Sequence, residues 1–392
     1  MRFTNPTFKK TNIKALFLGL ALVASNMMAC KSSLEEDLAP TETLTVKADE
    51  AQLASTYLST TANFVTGKTL RGSFFFPIGA AIVKERLERP AYTAMLLKDF
   101  NSITSESNMG FKSVHPEADK WTFAKADACV DFAVNNKIRI HGQTLLYPKD
   151  SLMPAFIKNF KGDKKQWKKL MQTHIQTIAA RYKGRVLAWD VLNEAILDNG
   201  TYRDNIWLRN IGEEYFAYAF KYAHEADPNA KLFYNDYGQE YSTRKMATIL
   251  NLVTNLKKSG IPIHGLSFQM HTVLRVDVNK IKAMLAKAAA TGLQVYISEL
   301  DVSVRYQKPE TFVLDAALAA EQGEKFKAIV QAYMTTVPKS QQYGITVWGM
   351  GDSDSFWNVK YPTKDHDYPD LFDGSYNPKP AYKGFLNAGL GK

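Results

Sequence analysis

The chain predicts an α/β protein built as one (β/α)8 barrel behind an export segment. Three observations carry that expectation. Short β-branched or aromatic runs alternate with longer helical patterns, which implies a parallel sheet, because parallel neighbours need crossover helices. There are eight such units, spaced roughly 26 to 50 residues apart, a number and spacing that favour a closed ring. No G-x-G-x-x-G loop follows the first strand, so an open dinucleotide-binding sheet is disfavoured.

The first residues stand apart. Arg2, Lys9, Lys10 and Lys14 precede an apolar run from Ala15 to Ala24, too short for a comfortable membrane span and shaped like a secretory signal peptide. Met27-Met28-Ala29-Cys30 resembles a bacterial lipobox, with Met27 where Leu is usual. The expectation is therefore a signal peptide over 1–29, a lipid-modified Cys30, a tether and lead-in helix to residue 72 (the helix over 48–66), and the barrel over 73–388. A lipoprotein of the outer membrane, on its surface or periplasmic face, follows.

Strands are expected to begin near Phe74, Phe100, Arg139, Val186, Lys231, His264, Gln294 and Gly344. Helices are expected near 121–136, 164–182, 211–226, 243–258, 278–291 and 319–336, with a last one near 379–388 closing the ring.

Composition narrows the function classes. The 392 residues are 45% hydrophobic and 22% charged, enough apolar material for a large core. The net charge of +10 falls to +6 once residues 1–29 are removed. The remaining basic residues lack the clustering of a nucleic-acid groove, and the Lys-rich stretch 158–169 reads as an exposed helix face and its approach. Cys129 is the one cysteine beyond Cys30, so no disulfide framework is expected, and its apolar helical setting makes it a small buried residue. The seven histidines show no His-x-His spacing, so no metal and no cofactor are implied.

The chemistry is expected at the C-terminal ends of strands. Val186 to Glu194 is an apolar run ending in Asn193-Glu194, and Val295 to Asp301 carries Glu299. Two carboxyl groups at one end of a barrel fit glycosidic hydrolysis. One protonates the leaving oxygen, and the other attacks the anomeric carbon if they lie ~5–5.5 Å apart. Glu194 is assigned as general acid/base and Glu299 as nucleophile. A charged Glu299 nearby is expected to keep Glu194 protonated.

At these two segments the chain resembles glycoside hydrolase family 10, the endo-β-1,4-xylanases, over about residues 73 to 388. The resemblance implies the barrel, a retaining mechanism and β-1,4-xylan as substrate. It implies that Glu106 holds a sugar in the glycone site, that Asn193 contacts the 2-hydroxyl beside the reacting carbon, and that Trp348 floors the site. Asn235 belongs to the fifth-strand motif Tyr234-Asn235-Asp236-Tyr237, and Gln269 and His271 to the sixth. His271, between Glu299 and Asp301, is expected to orient the nucleophile.

The glycone side departs from the family. Ser107 stands where Asn is usual and Gly110 where a sugar-binding Lys is usual, with Lys112 two places on. Gln143, Tyr147 and Pro148 replace His, Trp and His. These positions bear on which sugar binds, so a different or substituted β-glycan is the alternative substrate. A surface lipoprotein that binds glycans without cutting them is the alternative of another class. The expected partners are a poly- or oligosaccharide and, through the anchor, a membrane. A monomer without nucleic acid is expected.

Overall fold

The computed structural model describes residues 69–305, 314–360 and 367–392. The expected signal peptide, Cys30, the tether and the helix over 48–66 lie outside the described residues.

Eight parallel strands form the barrel: β1 (Ile78–Ile82), β2 (Ser102–Ser105), β3 (Arg139–Leu146), β4 (Ala188–Asn193), β5 (Lys231–Asp236), β6 (Gly265–Phe268), β7 (Gln294–Ser303) and β8 (Gln342–Val347). Each pairs with its sequence neighbour. Ile78 opposite Ile345 joins β1 to β8, which closes the ring. Beyond Met270, whose φ is +64°, the chain past β6 pairs again with β7 through His271–Val273. The strands are buried almost throughout, as parallel strands covered on both faces must be.

Seven helices match the expected ones: α2 (Ala124–Asn135), α3 (Lys164–Arg181), α4 (Glu214–Ala226), α5 (Thr243–Lys258), α6 (Val278–Ala289), α7 (Ala316–Thr336) and α8 (Pro380–Gly389). Among the helices of ten or more described residues, α1 (Pro90–Asp99), between β1 and β2, was not foreseen. It opens on Pro90 and buries only Tyr92, Leu96 and Asp99, so it shows little periodic apolar stripe.

Polar starts fix several of these helices. Asp163 accepts from the Gln166 backbone while the Gln166 side chain accepts from Asp163, a reciprocal cap that starts α3. The Lys-rich approach to α3 is exposed, and Trp167 turns inward. Cys129 is wholly buried in α2, and burial pushes its thiol up to about 11.

Phe233, Tyr296 and Tyr343 fill the barrel interior, with the Arg139 guanidinium 4.1 Å above the Tyr343 ring. A larger apolar layer lies between the strands and the helices. Helices α7 and α8 cross closely at glycines. A Cβ on Gly384 would lie 1.9 Å from the Gly323 carbonyl oxygen. Asp99 ties the start of the described barrel to its end, accepting from the Leu70 backbone at 3.1 Å and the Tyr382 hydroxyl at 2.8 Å.

Candidate active site

The candidate catalytic and sugar-binding residues lie in the C-terminal halves of strands or just beyond them. Glu106 follows β2, and its backbone N–H donates to Ile82 in β1 at 2.9 Å. Gln143 and Tyr147 come from the end of β3, Asn193 and Glu194 from β4, Asn235 from β5, Gln269 and His271 from beyond β6, Glu299 and Asp301 from β7, and Trp348 from just past β8. Drawing one or two residues from each of several strand ends is how a closed parallel barrel gathers side chains that are distant in sequence.

Glu299 is the more enclosed carboxylate, its side chain 4% exposed against 14% for Glu194. Gln143 Nε2 and Asn235 Nδ2 both donate to its Oε1, at 2.8 and 2.7 Å, and His271 Nε2 lies 3.1 Å from Oε2. A carboxylate only accepts, so it suits this ring of donors. Gln143 therefore serves the carboxylate directly.

The other face of His271 meets Asp301, with Nδ1 and Oδ2 2.6 Å apart, and the Trp357 indole N–H donates to the same oxygen at 3.1 Å. Burial alone would lower the imidazole. The charges and hydrogen bonds of Asp301 and Glu299 outweigh it and hold His271 well above its ordinary value. A protonated ring donates from both nitrogens, which satisfies both carboxylates. Trp348 is almost wholly buried, its ring edge-on to His271 at 6.1 Å between centroids.

Glu194 has an unusual backbone, with φ at +52°. Its N–H donates to the Asn235 carbonyl at 2.9 Å. Its Oε1 accepts from Gln269 Nε2 at 3.2 Å, and Arg203 Nη2 lies 3.4 Å from Oε2. Burial, then the negative charge and hydrogen bonding of Glu194, push the Tyr147 phenol far above its ordinary range.

Three amides join the two carboxylates. Gln269 Nε2 reaches both Glu194 and Asn193 Oδ1, and Asn235 Nδ2 reaches both Asn193 Oδ1 and Glu299. Ser298 Oγ donates to Asn235 Oδ1 at 2.8 Å, which fixes the orientation of that amide.

The positions at which the sequence departs from the family pattern are also placed. A Cβ on Gly110 would meet only the Ser107 carbonyl at 3.5 Å, so the position opens on free space. Lys112 points elsewhere and donates to the Ser151 carbonyl at 3.1 Å. The cation beside Glu106 is Arg86, from the loop after β1, with Nη1 3.6 Å from Oε2. Arg86 is itself held by Asp354. Arg86, Arg203 and Trp357 were not foreseen. Each acts from a segment between strands rather than from a strand end, and Arg86 reaches Asp354 across 268 residues of sequence.

A closed (β/α)8 barrel with two carboxylates set in hydrogen-bond networks at its C-terminal mouth is the framework of a glycoside hydrolase. Comparison with known proteins gives the family. The profile of glycosyl hydrolase family 10 matches residues 67–388, and the chain belongs to that family. Endo-beta-1,4-xylanase Xyn10C of Cellvibrio japonicus is 34% identical over 377 residues, 90% of this chain and 62% of that protein. Endo-1,4-beta-xylanase B of Thermotoga neapolitana is 33% identical over 292 residues, 74% of this chain and 81% of that protein. The chain thus spans less than two thirds of the first relative's length and most of the second's. Among solved structures, a mutant of xylanase10C from Cellvibrio japonicus in complex with xylopentaose superposes with a TM-score of 0.79 at 32% identity, covering 83% of this chain and 69% of that one.

Proposed function

We propose that the chain is a retaining endo-1,4-β-xylanase in which Glu299 is the nucleophile and Glu194 the general acid/base. The observation that carries this reading is the pair of carboxylates in different settings, Glu299 ringed by three donors and Glu194 more open beside Tyr147 and Arg203. Relatives named as xylanases, and a neighbour bound to xylopentaose, support the choice of polymer.

In the first step Glu299 attacks the anomeric carbon while Glu194 gives its proton to the departing sugar oxygen, leaving a glycosyl ester on Glu299. In the second, Glu194 takes a proton from water, the water oxygen bonds to the anomeric carbon, and Glu299 leaves. Both acceptor positions on Asn193 Oδ1 are filled by Gln269 and Asn235, so its amide N–H groups are what remain for a sugar hydroxyl. Glu106 is a second anchor on the glycone side, and Trp348 offers a ring to an apolar sugar face.

The open position at Gly110 favours a second reading, a related β-1,4-glycan carrying a substituent that occupies the space. The segment ending in Cys30 supports export and lipid attachment, which intact mass measurement of the mature protein tests.

The decisive assay is release of reducing ends from β-1,4-xylan by the parent and by Glu299→Ala. Release by the parent with a loss of at least about a thousandfold in the variant is expected, since a missing nucleophile removes the covalent route. A parent that leaves xylan intact but cuts another β-1,4-glycan overturns the substrate, and equal activity in both proteins overturns the nucleophile.

A further inference from the structure

The chain after Glu194 turns back on itself. Leu197 and Gly200 close a tight turn, with the Leu197 N–H donating to Thr201 at 2.8 Å and Gly200 at φ +79°. Ile196 then bridges Tyr202 antiparallel, and the Arg203 N–H donates to the Ala195 carbonyl at 2.8 Å. Asn205 follows at once. Its amide donates to the Arg203 carbonyl at 2.8 Å, while its side-chain oxygen caps the helix Ile206–Ile211. This small hairpin is pinned at both ends, and it sets Arg203 directly against the residue where it began.

There the guanidinium grips Glu194 at two places. Nε donates to the Glu194 backbone carbonyl at 2.7 Å, and Nη2 faces its carboxylate Oε2 at 3.4 Å. The left-handed backbone of Glu194 is unfavourable for a residue other than glycine. It is kept by bonds on both sides of Cα, Asn235 at the N–H and Arg203 at the carbonyl. The Arg203 side chain is 15% exposed, so it is a fixed part of the wall rather than a mobile surface charge.

We propose that Arg203 is the positioning residue for the acid/base, clamping Glu194 by backbone and carboxylate so that its proton is aimed at the leaving oxygen. The proposal rests on the assignment of Glu194 made above. Arg203 acts through Glu194 and touches no substrate. Its forked, permanently charged head makes both contacts at once, and it meets the negative charge that Glu194 acquires on giving up its proton. The 3.4 Å contact is long for a hydrogen bond and is expected to shorten as that charge develops.

A loss of aim hurts only leaving groups that need a proton. The test compares kcat/KM for a xylo-oligosaccharide, whose leaving group is a sugar hydroxyl, with kcat/KM for 2,4-dinitrophenyl β-xylobioside, which departs without a proton. For Arg203→Met the expected result is a loss of about tenfold or more on the oligosaccharide and less than about twofold on the activated glycoside, since general acid catalysis is worth about 10²–10⁴. Arg203→Lys keeps the charge but not the fork. It should show the same split at smaller size, and it serves if the methionine variant does not fold. A proportional loss on both substrates, or no loss on either, overturns the proposal. Failure of the xylan reading is separable, because a parent inactive on xylosides but active on cello-oligosaccharides moves the same comparison to the cellobioside pair.

Discussion

At the scale of single residues, Glu106 shows how a carboxylate can take its cation from a different segment of the chain. Gly110 brings no amine, and Lys112 is spent on the Ser151 carbonyl, yet Glu106 still faces a positive charge because Arg86 reaches it. Burial raises the Glu106 carboxyl above its ordinary value, and Arg86 opposes that rise. Removing the cation leaves burial and the charge of Glu299 opposed by His271 alone among the named groups, so the carboxyl of Glu106 should rise further in Arg86→Met. If the ionised form is the one that accepts a sugar hydroxyl, more of it is then protonated at any mildly acidic pH. The acid limb of kcat/KM should move to higher pH, carried mainly by KM. In a Glu106→Gln background the Arg86→Met change should move nothing. An unmoved limb in the single variant would dissociate Arg86 from Glu106. None of this was legible in sequence, because Arg86 sits in the charged run Lys84–Arg89, where any of several side chains is an equal candidate. By contrast Glu194 and Glu299 were legible, since each closes or interrupts an apolar run that has no other use for a carboxylate.

At the scale of elements, the strands were read most accurately where an apolar run starts abruptly after polar residues. Lys231, Gln294 and Arg139 begin β5, β7 and β3 as expected from the sequence. Phe74 came out four residues early, because Phe74 and Phe76 belong to the apolar layer outside the ring and mimic a strand start. Helix α1 escaped because its buried face is two apolar side chains and an aspartate, too little to set a period. What no pattern of apolar residues conveys is how closely two elements pack. The crossing of α7 and α8 depends on Gly323 and Gly384, and a methyl on Gly384 would be 1.9 Å from a backbone oxygen that cannot swing away. In an isolated helix Gly→Ala stabilises by about 1 kcal/mol. Here overpacking should reverse the sign, so that Gly384→Ala destabilises by about 1–3 kcal/mol and lowers Tm by several degrees. A Tm that stays level or rises would show that the helices separate without cost.

At the scale of the whole molecule, a barrel that draws its polar residues to one mouth also buries carboxyl groups there, and this shapes stability against pH. Burial raises Asp236 and Asp352 to about 6 even though Lys245 and Lys379 partner them. Glu240, in the segment between β5 and α5, is wholly buried with neither oxygen reaching a hydrogen-bonding side chain, and burial pushes it up to about 7. An unfolded glutamate titrates near 4.3. Between that value and about 7 the folded chain keeps a proton that the unfolded chain has lost, so the Glu240 contribution is fully present below pH ~4 and fades as pH rises to 7. Its span is on the order of 3 kcal/mol, at 1.36 kcal/mol for each pH unit. Glu240→Gln has no proton to lose. Its stability relative to the parent should therefore climb from pH 5 to pH 8, with the two proteins closest at the acid end. Urea unfolding of both proteins at those two pH values measures the difference. Parallel stability curves would mean that Glu240 finds a partner in solution, and a variant less stable at pH 8 would mean that the buried carboxylate is held by its surroundings rather than tolerated by them.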